Sequence, residues 1–223
     1  MDLNSKIRDL IDAKIKNPYA YNDEDLKYSV IKYTDCSDYD LKESDIELGL
    51  KRLYNYLNIN SLTKDKSCII TNSVNGKIAN LLMDNIYVYS FDNEFYCSMA
   101  SQIVNKDKYK MDKIDYLFGD ISHFFTSNFN SNFKTDFIIT CPSRDTDSYQ
   151  QLDSEMKFRK MNPYEYYTKR SIQFLFDGGL CLSIVPTSME RYIIQQLMAY
   201  EIPVKILDKI NFGEYSFIYI TKG

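Results

Sequence analysis

Three residues that can bind or react stand close together at Cys141, Pro142 and Arg144, directly after the apolar run 137–139. A short apolar run that stops at a proline is typical of a fully buried strand that ends at the edge of a sheet. Because proline has no backbone N–H and a fixed φ, we expect a rigid loop there. Ligands of open α/β sheets bind outside the carboxyl ends of the strands, so the sequence predicts a ligand site at this loop.

Polar and acidic residues also follow three other apolar runs. Thr71 and Asn72 come after the first run and precede Gly76, while Asp92 and Asp120 follow the second and the third. Carboxylates accept hydrogen bonds from hydroxyls and exocyclic amines, which suits a nucleoside ligand. Asp and Asn are also common turn formers, and both interpretations stay open.

The elements that must position these residues are short strands that alternate with helices. Apolar runs predict seven strands, at 68–70, 86–90, 114–118, 137–140, 180–185, 204–207 and 217–221. Helical patterns lie between them at 77–83, 95–104, 164–176 and 189–200, and Gly178-Gly179 is expected to end the third of these helices. This alternation predicts an α/β fold with a doubly wound, mostly parallel sheet. The last two strands are joined by a loop at 211–214 that is too short for a crossover helix, so we expect an antiparallel terminal strand.

The chain divides into two predicted parts. Residues 1–62 are expected to form a helical segment packed on the core, and residues 63–223 the α/β domain. The last helix of the first part is expected to begin in a capping box made by Ser44 and Glu47. Its apolar stripe consists of Ile46, Leu50, Leu53 and Leu57.

Composition and charge exclude several classes of protein. No apolar stretch approaches the roughly 20 residues of a membrane span, and the charged N-terminus does not match a signal peptide. The five cysteines are scattered and His123 is alone, which favours reduced thiols in a cytoplasmic protein and disfavours a metal site. The abundance of Tyr, Asn and Lys and the absence of Trp suggest a low-GC coding sequence, as in a phage, a mobile element or a low-GC bacterium.

The layout of residues 66–221 resembles the class I S-adenosylmethionine-dependent methyltransferases, and among them the adenine-specific DNA methyltransferases. The most specific part is the tail, where DFIITCPSR precedes a helix and FDGGLCLSIVPTSM precedes another helix and a strand pair. In that family the fourth strand ends in an Asn-Pro-Pro-aromatic motif, and the fifth follows a Gly-Gly turn and ends near Pro-Ser. The resemblance implies a Rossmann-like, seven-stranded sheet with S-adenosylmethionine as cofactor.

The resemblance places the cofactor at Thr71, Asn72, Gly76, Asp92 and Asp120. The segment TNSVNGKIA stands where the family has a glycine-rich loop, but only Gly76 is a glycine. The loop is therefore degenerate, because a side chain at a glycine position fills the pocket and disfavours a positive φ. Asp92 takes the place of the carboxylate that binds the ribose, and Asp120 that of the carboxylate that accepts from the adenine amine. An ordinary strand-to-helix turn at 71–76 stays the alternative.

The catalytic motif of the family is also degenerate, since the matching positions are Cys141, Pro142, Ser143 and Arg144. Transfer to an adenine amine needs an acceptor for the amine hydrogens and a flat side chain that stacks the extruded base. A thiol is a poor acceptor. Arg144 can stack a base or hold a phosphate, but it does not replace the aromatic ring. The resemblance therefore implies that methyl transfer is lost.

Three functions remain open on these grounds. The first is a degenerate adenine-methyltransferase-like pseudoenzyme that acts by binding a protein or nucleic-acid partner, in the host cytoplasm if a phage encodes it. The second is an active S-adenosylmethionine-dependent methyltransferase with atypical site residues, acting on adenine in DNA or RNA or on a smaller acceptor. The third is a sensor of S-adenosylmethionine or another nucleoside.

Nucleic-acid binding would have to be local, because the net charge of −4 gives no attractive overall field. A basic cluster near the predicted site consists of Arg144, Lys157, Arg159 and Lys160, with Lys169 and Arg170 on the next helix. Such a cluster can hold phosphates. A solvated helix face is the alternative interpretation.

Overall fold

The computed structural model describes residues 41–60, 62–63, 66–72, 76–92, 101–102, 105, 113–118, 133–142, 149–152 and 158–223, with positions 9, 12–13 and 16–17. The described helices are α1 (Glu43–Leu57), α2 (Lys77–Leu81), α3 (Pro163–Gln173) and α4 (Glu190–Met198), with a 3-10 turn at Thr187–Met189. The strands are β1 (Lys66–Ile70), β2 (Ile86–Asp92), β3 (Ile114–Phe118), β4 (Thr135–Thr140), β5 (Tyr149–Leu152), β6 (Phe158–Met161), β7 (Leu175–Pro186), β8 (Val204–Phe212) and β9 (Tyr215–Lys222).

Seven of these strands form one mixed sheet in the order β3-β2-β1-β4-β7-β9-β8. The pairs from β3 to β7 are parallel, and β9 lies between β7 and β8, antiparallel to both. This confirms the predicted α/β, doubly wound, mostly parallel sheet with an antiparallel terminal strand. The strand order reverses between β1 and β4, which places the topological switch point at their carboxyl ends.

The sheet is covered on both faces by apolar side chains. In β1, Cys68 and Ile70 belong to one buried cluster and Ile69 belongs to the other. The first cluster contains α1 and α2 residues such as Leu50 and Ile78. The second cluster contains residues of α3 and α4. Because a central parallel strand is buried on both faces, its sequence is uniformly apolar instead of alternating, as in the CII run of β1.

Helix α1 packs directly on the terminal strands. Tyr219 donates a hydrogen bond from its hydroxyl to the carbonyl of Gly49 at 3.0 Å. A Cβ atom on Gly49 would overlap the buried ring of Phe217. The absence of a side chain at Gly49 therefore allows α1 to approach β9 closely, and it ties the N-terminal part of the described chain to the sheet.

Two predicted element boundaries are wrong. Helix α1 begins at Glu43, with Lys42 as N-cap and no side-chain cap, so Ser44 and Glu47 do not form a capping box. Helix α3 ends at Gln173, and Gly178-Gly179 lie inside strand β7 instead of ending the helix.

The glycine pair in β7 accommodates an irregularity of the sheet. The register between β4 and β7 shifts between Thr135 and Phe137, which pair with Leu175 and Leu180. Gly178 has a φ of 76°, which an L side chain rarely adopts. The chain can therefore form the bulge without leaving the sheet.

The segment after β4 also differs from the prediction. The sequence analysis predicts no helix or strand between the strand at 137–140 and the helix at 164–176. In the structure, β5 and β6 pair there as a separate antiparallel hairpin from Tyr149↔Met161 to Leu152↔Phe158. The alternation there is too short to give a clear sequence signal, because each strand has only four residues.

The described thiols are buried. Cys68, Cys141 and Cys181 are free cysteines, and all three are fully inaccessible. Desolvation raises the pKa of each thiol, to about 12 for Cys181. None of the described helices is long and apolar enough to cross a membrane.

Substitution of Gly49 by alanine should lower the free energy of unfolding by about 1–3 kcal/mol, the usual cost of overpacking a buried site. Helix propensity alone favours alanine over glycine by about 1 kcal/mol. We expect the overlap of the added Cβ with Phe217 to outweigh this gain. Urea denaturation of the variant and of Lys51→Ala, at an exposed position of α1, measures the difference. Gly49→Ala as stable as the parent chain would show that α1 and β9 can separate without cost.

Candidate functional site

The carboxyl ends of β1 and β4 are joined at the switch point. The backbone N–H of Thr71 donates to the carbonyl of Ile139 at 3.1 Å, one residue beyond the end of β1. This bond extends the ladder to the sheet edge and fixes Thr71 beside the last residues of β4. The structure therefore brings together two segments that the sequence singled out separately, Thr71-Asn72 and Cys141-Pro142.

Thr71 places an unsatisfied hydroxyl at this edge. The residue is 5% exposed, and its Oγ1 has no hydrogen-bond partner among the described residues. Ser90 Oγ near the carboxyl end of β2 and Asn105 Oδ1 are also buried and have no hydrogen-bond partner among the described residues. A buried hydroxyl or amide oxygen without a partner costs free energy, so such atoms call for a ligand or an ordered water. The chemistry fits a ligand that offers hydrogen-bond donors and acceptors at β1 and β2.

Gly76 is packed against residues 101 and 105 of the same chain. Its φ of 86° places it in the left-handed region at the N-cap of α2. Its carbonyl accepts a hydrogen bond from Asn105 Nδ2 at 2.9 Å. A Cβ atom there would lie 2.6 Å from Asn105 Nδ2 and 2.8 Å from Ser101 Cα. The close backbone approach that a glycine permits is therefore used by residues 101 and 105, and the structure shows a packing reason for Gly76.

The acidic cofactor positions are only partly within the described residues. Asp92 is the last residue of β2 and pairs in register with Phe118, the last residue of β3, so its backbone lies at the carboxyl edge. Its side chain and the whole of Asp120 lie outside the described part of the chain. Asn72 follows Thr71 and is half-buried.

Cys141 and Pro142 do not open onto solvent. Both are buried, and Cys141 is 0% exposed. Desolvation raises the pKa of the Cys141 thiol, which keeps it protonated at neutral pH. Neither residue has a side chain that is a good acceptor for an amine hydrogen. Arg144, like Ser143, lies outside the described residues.

A buried chain of hydroxyls fixes the end of β4, and no pattern in the sequence indicates it. Thr140 Oγ1 donates to Ser183 Oγ at 3.2 Å in the paired strand β7. Ser183 Oγ lies 2.7 Å from Thr168 Oγ1, and Thr168 donates to the carbonyl of Tyr164 at 2.7 Å. All three hydroxyl residues are fully buried. The residue before Cys141 is thereby tied to β7 and α3, which makes this edge rigid.

A cleft of about 390 Å³ lies at the carboxyl end of β7 and is lined by Pro186, Thr187, Ser188 and Glu214. Its two walls are the 3-10 turn after β7 and the turn between β8 and β9. Thr187 N donates to the carbonyl of Glu214 at 2.7 Å, and Thr187 Oγ1 to the carbonyl of Gly213 at 3.4 Å. These bonds cross-link the walls. The sequence placed Pro186 at the end of a strand, but the contribution of Glu214 depends on the return of the terminal hairpin.

A buried carboxylate supports the base of this cleft. Glu190 accepts from Lys209 Nζ and, at 2.8 Å, from Ser216 Oγ. The hydrogen bond from Lys209 lowers the pKa of the Glu190 carboxyl, against desolvation that raises it. Ser216 also lies 3.4 Å from Thr187 Oγ1. Glu190 is therefore an ionised group neutralised by Lys209, and it fixes the wall that carries Thr187.

The basic residues on α3 are engaged locally. Lys169 is paired with the fully buried Glu165 at 2.8 Å, and its side chain is only 13% exposed. Arg170 donates to Gln173 Oε1 at 3.2 Å. In the hairpin, Arg159 and Lys160 pair in register with Gln151 and Gln150. Their side chains lie outside the described part, as do Arg144 and Lys157, so nucleic-acid contact through these four residues stays a prediction.

Within the described residues, no group of three or more His, Cys, Asp or Glu side chains is placed to hold a metal ion.

Comparisons with known proteins give a match at the level of structure alone. No protein-family model matches the sequence, and no curated protein matches it either.

Solved structures of methyltransferases do match. An O-methyltransferase from Bacillus cereus, in complex with S-adenosylhomocysteine, superposes with a TM-score of 0.61 at 9% identity, over 96% of this chain and 97% of that one. A protein assigned to the class I S-adenosylmethionine-dependent methyltransferases, from Listeria monocytogenes, gives 0.58 at 10% identity, over 91% and 69%. The tRNA m1G37 methyltransferase of M. jannaschii gives 0.52 at 10% identity, over 79% of this chain and 49% of that one.

The similarity covers the α/β fold with its seven-stranded mixed sheet. At identities near 10%, it shows the fold alone. The chain therefore has the Rossmann-like fold of the class I S-adenosylmethionine-dependent methyltransferases.

Alanine substitutions at two glycines should distinguish the free-energy cost of a positive φ from the cost of a steric overlap. Gly76 and Gly178 both have a positive φ, but a Cβ at Gly178 meets nothing within 4 Å, whereas one at Gly76 meets Ser101 Cα. Gly178→Ala should lower the free energy of unfolding by about 1–2 kcal/mol, from backbone strain alone. Gly76→Ala should lower it clearly more, and thermal unfolding of both variants measures the difference. Equal costs would contradict the close approach of residues 101 and 105 to Gly76.

Proposed function

We propose that this chain binds S-adenosylmethionine, or a nucleoside of similar chemistry, at the carboxyl edge of β1 and β2, and that it acts by binding instead of by methylating an adenine amine. The observation that supports the first half is the buried hydroxyl of Thr71 at the switch point, which has no hydrogen-bond partner in the described part of the chain. The observation that supports the second half is the burial of Cys141 and Pro142 at the end of β4.

The proposed ligand contacts follow from the order of the strands. Thr71 Oγ1 would bond the end of the ligand nearest β1 and β4, and the Asp92 carboxylate would accept from the ribose hydroxyls at the end of β2. Asp120 follows β3 in the sequence and would accept from an exocyclic amine. Bound S-adenosylmethionine would supply an electrophilic methyl group on a sulfonium.

Methyl transfer to an adenine amine requires an acceptor that holds the amine hydrogens beside that methyl group. The described end of β4 offers a neutral, desolvated thiol and a proline there. Its neighbour Thr140 uses its hydroxyl to bond Ser183. No described side chain at the carboxyl end of β4 is therefore free to serve as a good acceptor. A protein partner, or nucleic acid at Arg144, Lys157, Arg159 and Lys160, is the proposed target of such a binding protein.

Calorimetric titration with S-adenosylmethionine and S-adenosylhomocysteine tests the cofactor site. Micromolar binding is expected, and Thr71→Val should weaken it up to about tenfold, the equivalent of one hydrogen bond. The same substitution removes a buried unsatisfied hydroxyl, so the stability of the free protein should stay equal or rise slightly. Asp92→Ala should weaken binding more, because its hydrogen bonds are charge-assisted.

Thr140→Val is the matched control. Thr140 is a buried threonine at the end of the neighbouring strand, but its hydroxyl bonds Ser183. Its loss should reduce stability by about 1 kcal/mol and leave ligand affinity nearly unchanged. If neither ligand binds the folded chain, or if Thr71→Val destabilises the free protein as much as Thr140→Val does, the proposed site is wrong.

A methyltransferase acting on a small acceptor is the second candidate. The observation that favours it is the cleft at the carboxyl end of β7, together with the superposition of the chain over nearly the full length of the B. cereus O-methyltransferase. In such a reaction an acceptor N or O would form the new bond to the methyl carbon, the sulfonium C–S bond would break, and the acceptor proton would pass to a base or to water.

Transfer of a radiolabelled methyl group from S-adenosylmethionine separates the two candidates. We expect no incorporation into adenine-containing DNA or RNA, because β4 lacks the acceptor group. Label in a pool of small amines and alcohols, lost together with cofactor binding in Asp92→Ala, would favour the second candidate. Label in adenine would contradict the proposal of a binding protein.

A further inference from the structure

We propose that two copies of this chain associate edge to edge through strand β8, with residues 208–212 of each copy paired antiparallel to the same residues of the other. Strand β8 is the last strand in the sheet order, and no other described strand pairs with its outer side. The strand is nine residues long and contains no proline. Such an edge presents a row of unpaired backbone groups that can bind a further strand.

The backbone groups that face outward follow from the pairing of β8 with β9. Their two-residue turn closes at the pair Phe212↔Tyr215, and the peptide groups of a closing pair bond each other. Because bonded and unbonded pairs alternate in an antiparallel ladder, every second residue back from Phe212 also bonds β9. The residues between them, Lys209 and Asn211, therefore direct their N–H and C=O groups away from the sheet.

A second copy satisfies these outward groups in one register. A two-fold axis beside Ile210 places Lys209 of each copy opposite Asn211 of the other, and the two residues exchange both of their peptide hydrogen bonds on each side of the axis. An axis beside Lys209 would instead place two lysines opposite each other, which is unfavourable. The bulge between Ile206 and Asp208 bends the edge, so we expect the pairing to stop at Asp208.

The charges of this segment are neutralised within each copy. Asp208 is paired at 2.5 Å with Arg52 of α1, on one face of the sheet. Lys209 is paired with Glu190 of α4, on the other face. Lysine on an edge strand often discourages pairing, but the ammonium group of Lys209 is bound over the sheet instead of across the edge. A net charge on the segment would favour a partner of opposite sign, whereas a neutral segment is compatible with an identical copy.

Apolar side chains flank the proposed axis. Ile210 and Phe212 are partly buried and pack against the apolar cluster on the α1 side of the sheet. Leu48 of α1 is 53% exposed. Helix residues four apart lie on one face, so Leu48 belongs to the face of α1 from which Arg52 reaches β8. Association of two copies would remove this apolar surface from water, in addition to forming the backbone hydrogen bonds.

The proposed association would join two sheets into one continuous sheet. It does not depend on the proposed cofactor site, because that site lies at the carboxyl ends of β1 and β2, separated from β8 by β4, β7 and β9. A failed cofactor titration would leave the association through β8 in place, and a monomeric chain would leave the cofactor site in place.

Sedimentation velocity and amide hydrogen exchange of the full chain test the proposal. We expect the mass of two chains at roughly 10–100 μM protein and dissociation on further dilution, since a short edge contact gives modest affinity. At the higher concentrations the amides of Lys209 and Asn211 should be protected from exchange, and dilution should remove this protection. The amide of Ile210, which bonds β9, should stay protected throughout.

Asn211→Pro and Asn211→Ala form a matched pair of variants. The side-chain oxygen of Asn211 accepts from Ser216 Oγ at 2.9 Å, and both variants lose this bond. Only proline also removes the outward N–H, and it leaves the ladder with β9 in place because position 211 does not bond that strand. Asn211→Pro should therefore raise the dissociation constant of the dimer at least about tenfold relative to Asn211→Ala.

A chain that stays monomeric over this range would overturn the proposal, as would a dimer whose Lys209 and Asn211 amides exchange freely. Equal dissociation constants in the two folded Asn211 variants would also contradict it. If Asn211→Pro does not fold, exchange in the parent chain decides. Protection that does not change with concentration would show that another part of the same chain covers the edge, and protection that requires an added protein would show a different partner. Both results would reject a second copy.

Discussion

Burial of the central strands on both faces is the constraint on which the other features of this protein depend. Strands β1, β4 and β7 contribute side chains to two apolar clusters, one on each side of the sheet. Polar side chains that could do chemistry are therefore excluded from the middle of the sheet and concentrate at its edges. The carboxyl edge receives Thr71, Asp92 and the cleft after β7. The same burial leaves Cys141 as part of the core.

The buried polar side chains differ in whether other side chains satisfy their hydrogen bonds. Thr140, Ser183 and Thr168 satisfy one another in a chain of hydroxyls, and Glu190 is satisfied by Lys209 and Ser216. These groups hold elements in place. Thr71 has no such partner among the described residues. Of two threonines at the ends of neighbouring strands, one is used by the fold, and we propose the other as a ligand contact.

The terminal hairpin gives the protein a second polar surface. Strand β9 enters the sheet between β7 and β8, so the turn at Gly213-Glu214 returns to the carboxyl end of β7 and forms a wall of the cleft. Helix α1 stabilises this arrangement from the other end through Gly49, Phe217 and Tyr219. A surface loop alone would not place a carboxylate beside Pro186 with this rigidity.

The fold class follows from the sequence, because uniformly apolar runs separated by helical patterns leave few architectures other than a doubly wound sheet. Five of the seven sheet strands are predicted to within about three residues at each end, whereas the predicted β7 begins five residues late and the predicted β8 ends five residues early. The sequence also indicates the carboxyl edge at Thr71 and Cys141. It misplaced the limits of α1, α3 and β7, since Gly178-Gly179 is compatible both with a helix end and with a bulge. Which polar groups have hydrogen-bond partners is evident only in the folded chain. The burial of Cys141, the exposure of Ser188 and the lack of a partner for Thr71 among the described residues depend on contacts between residues far apart in the chain, and no local sequence pattern carries that information.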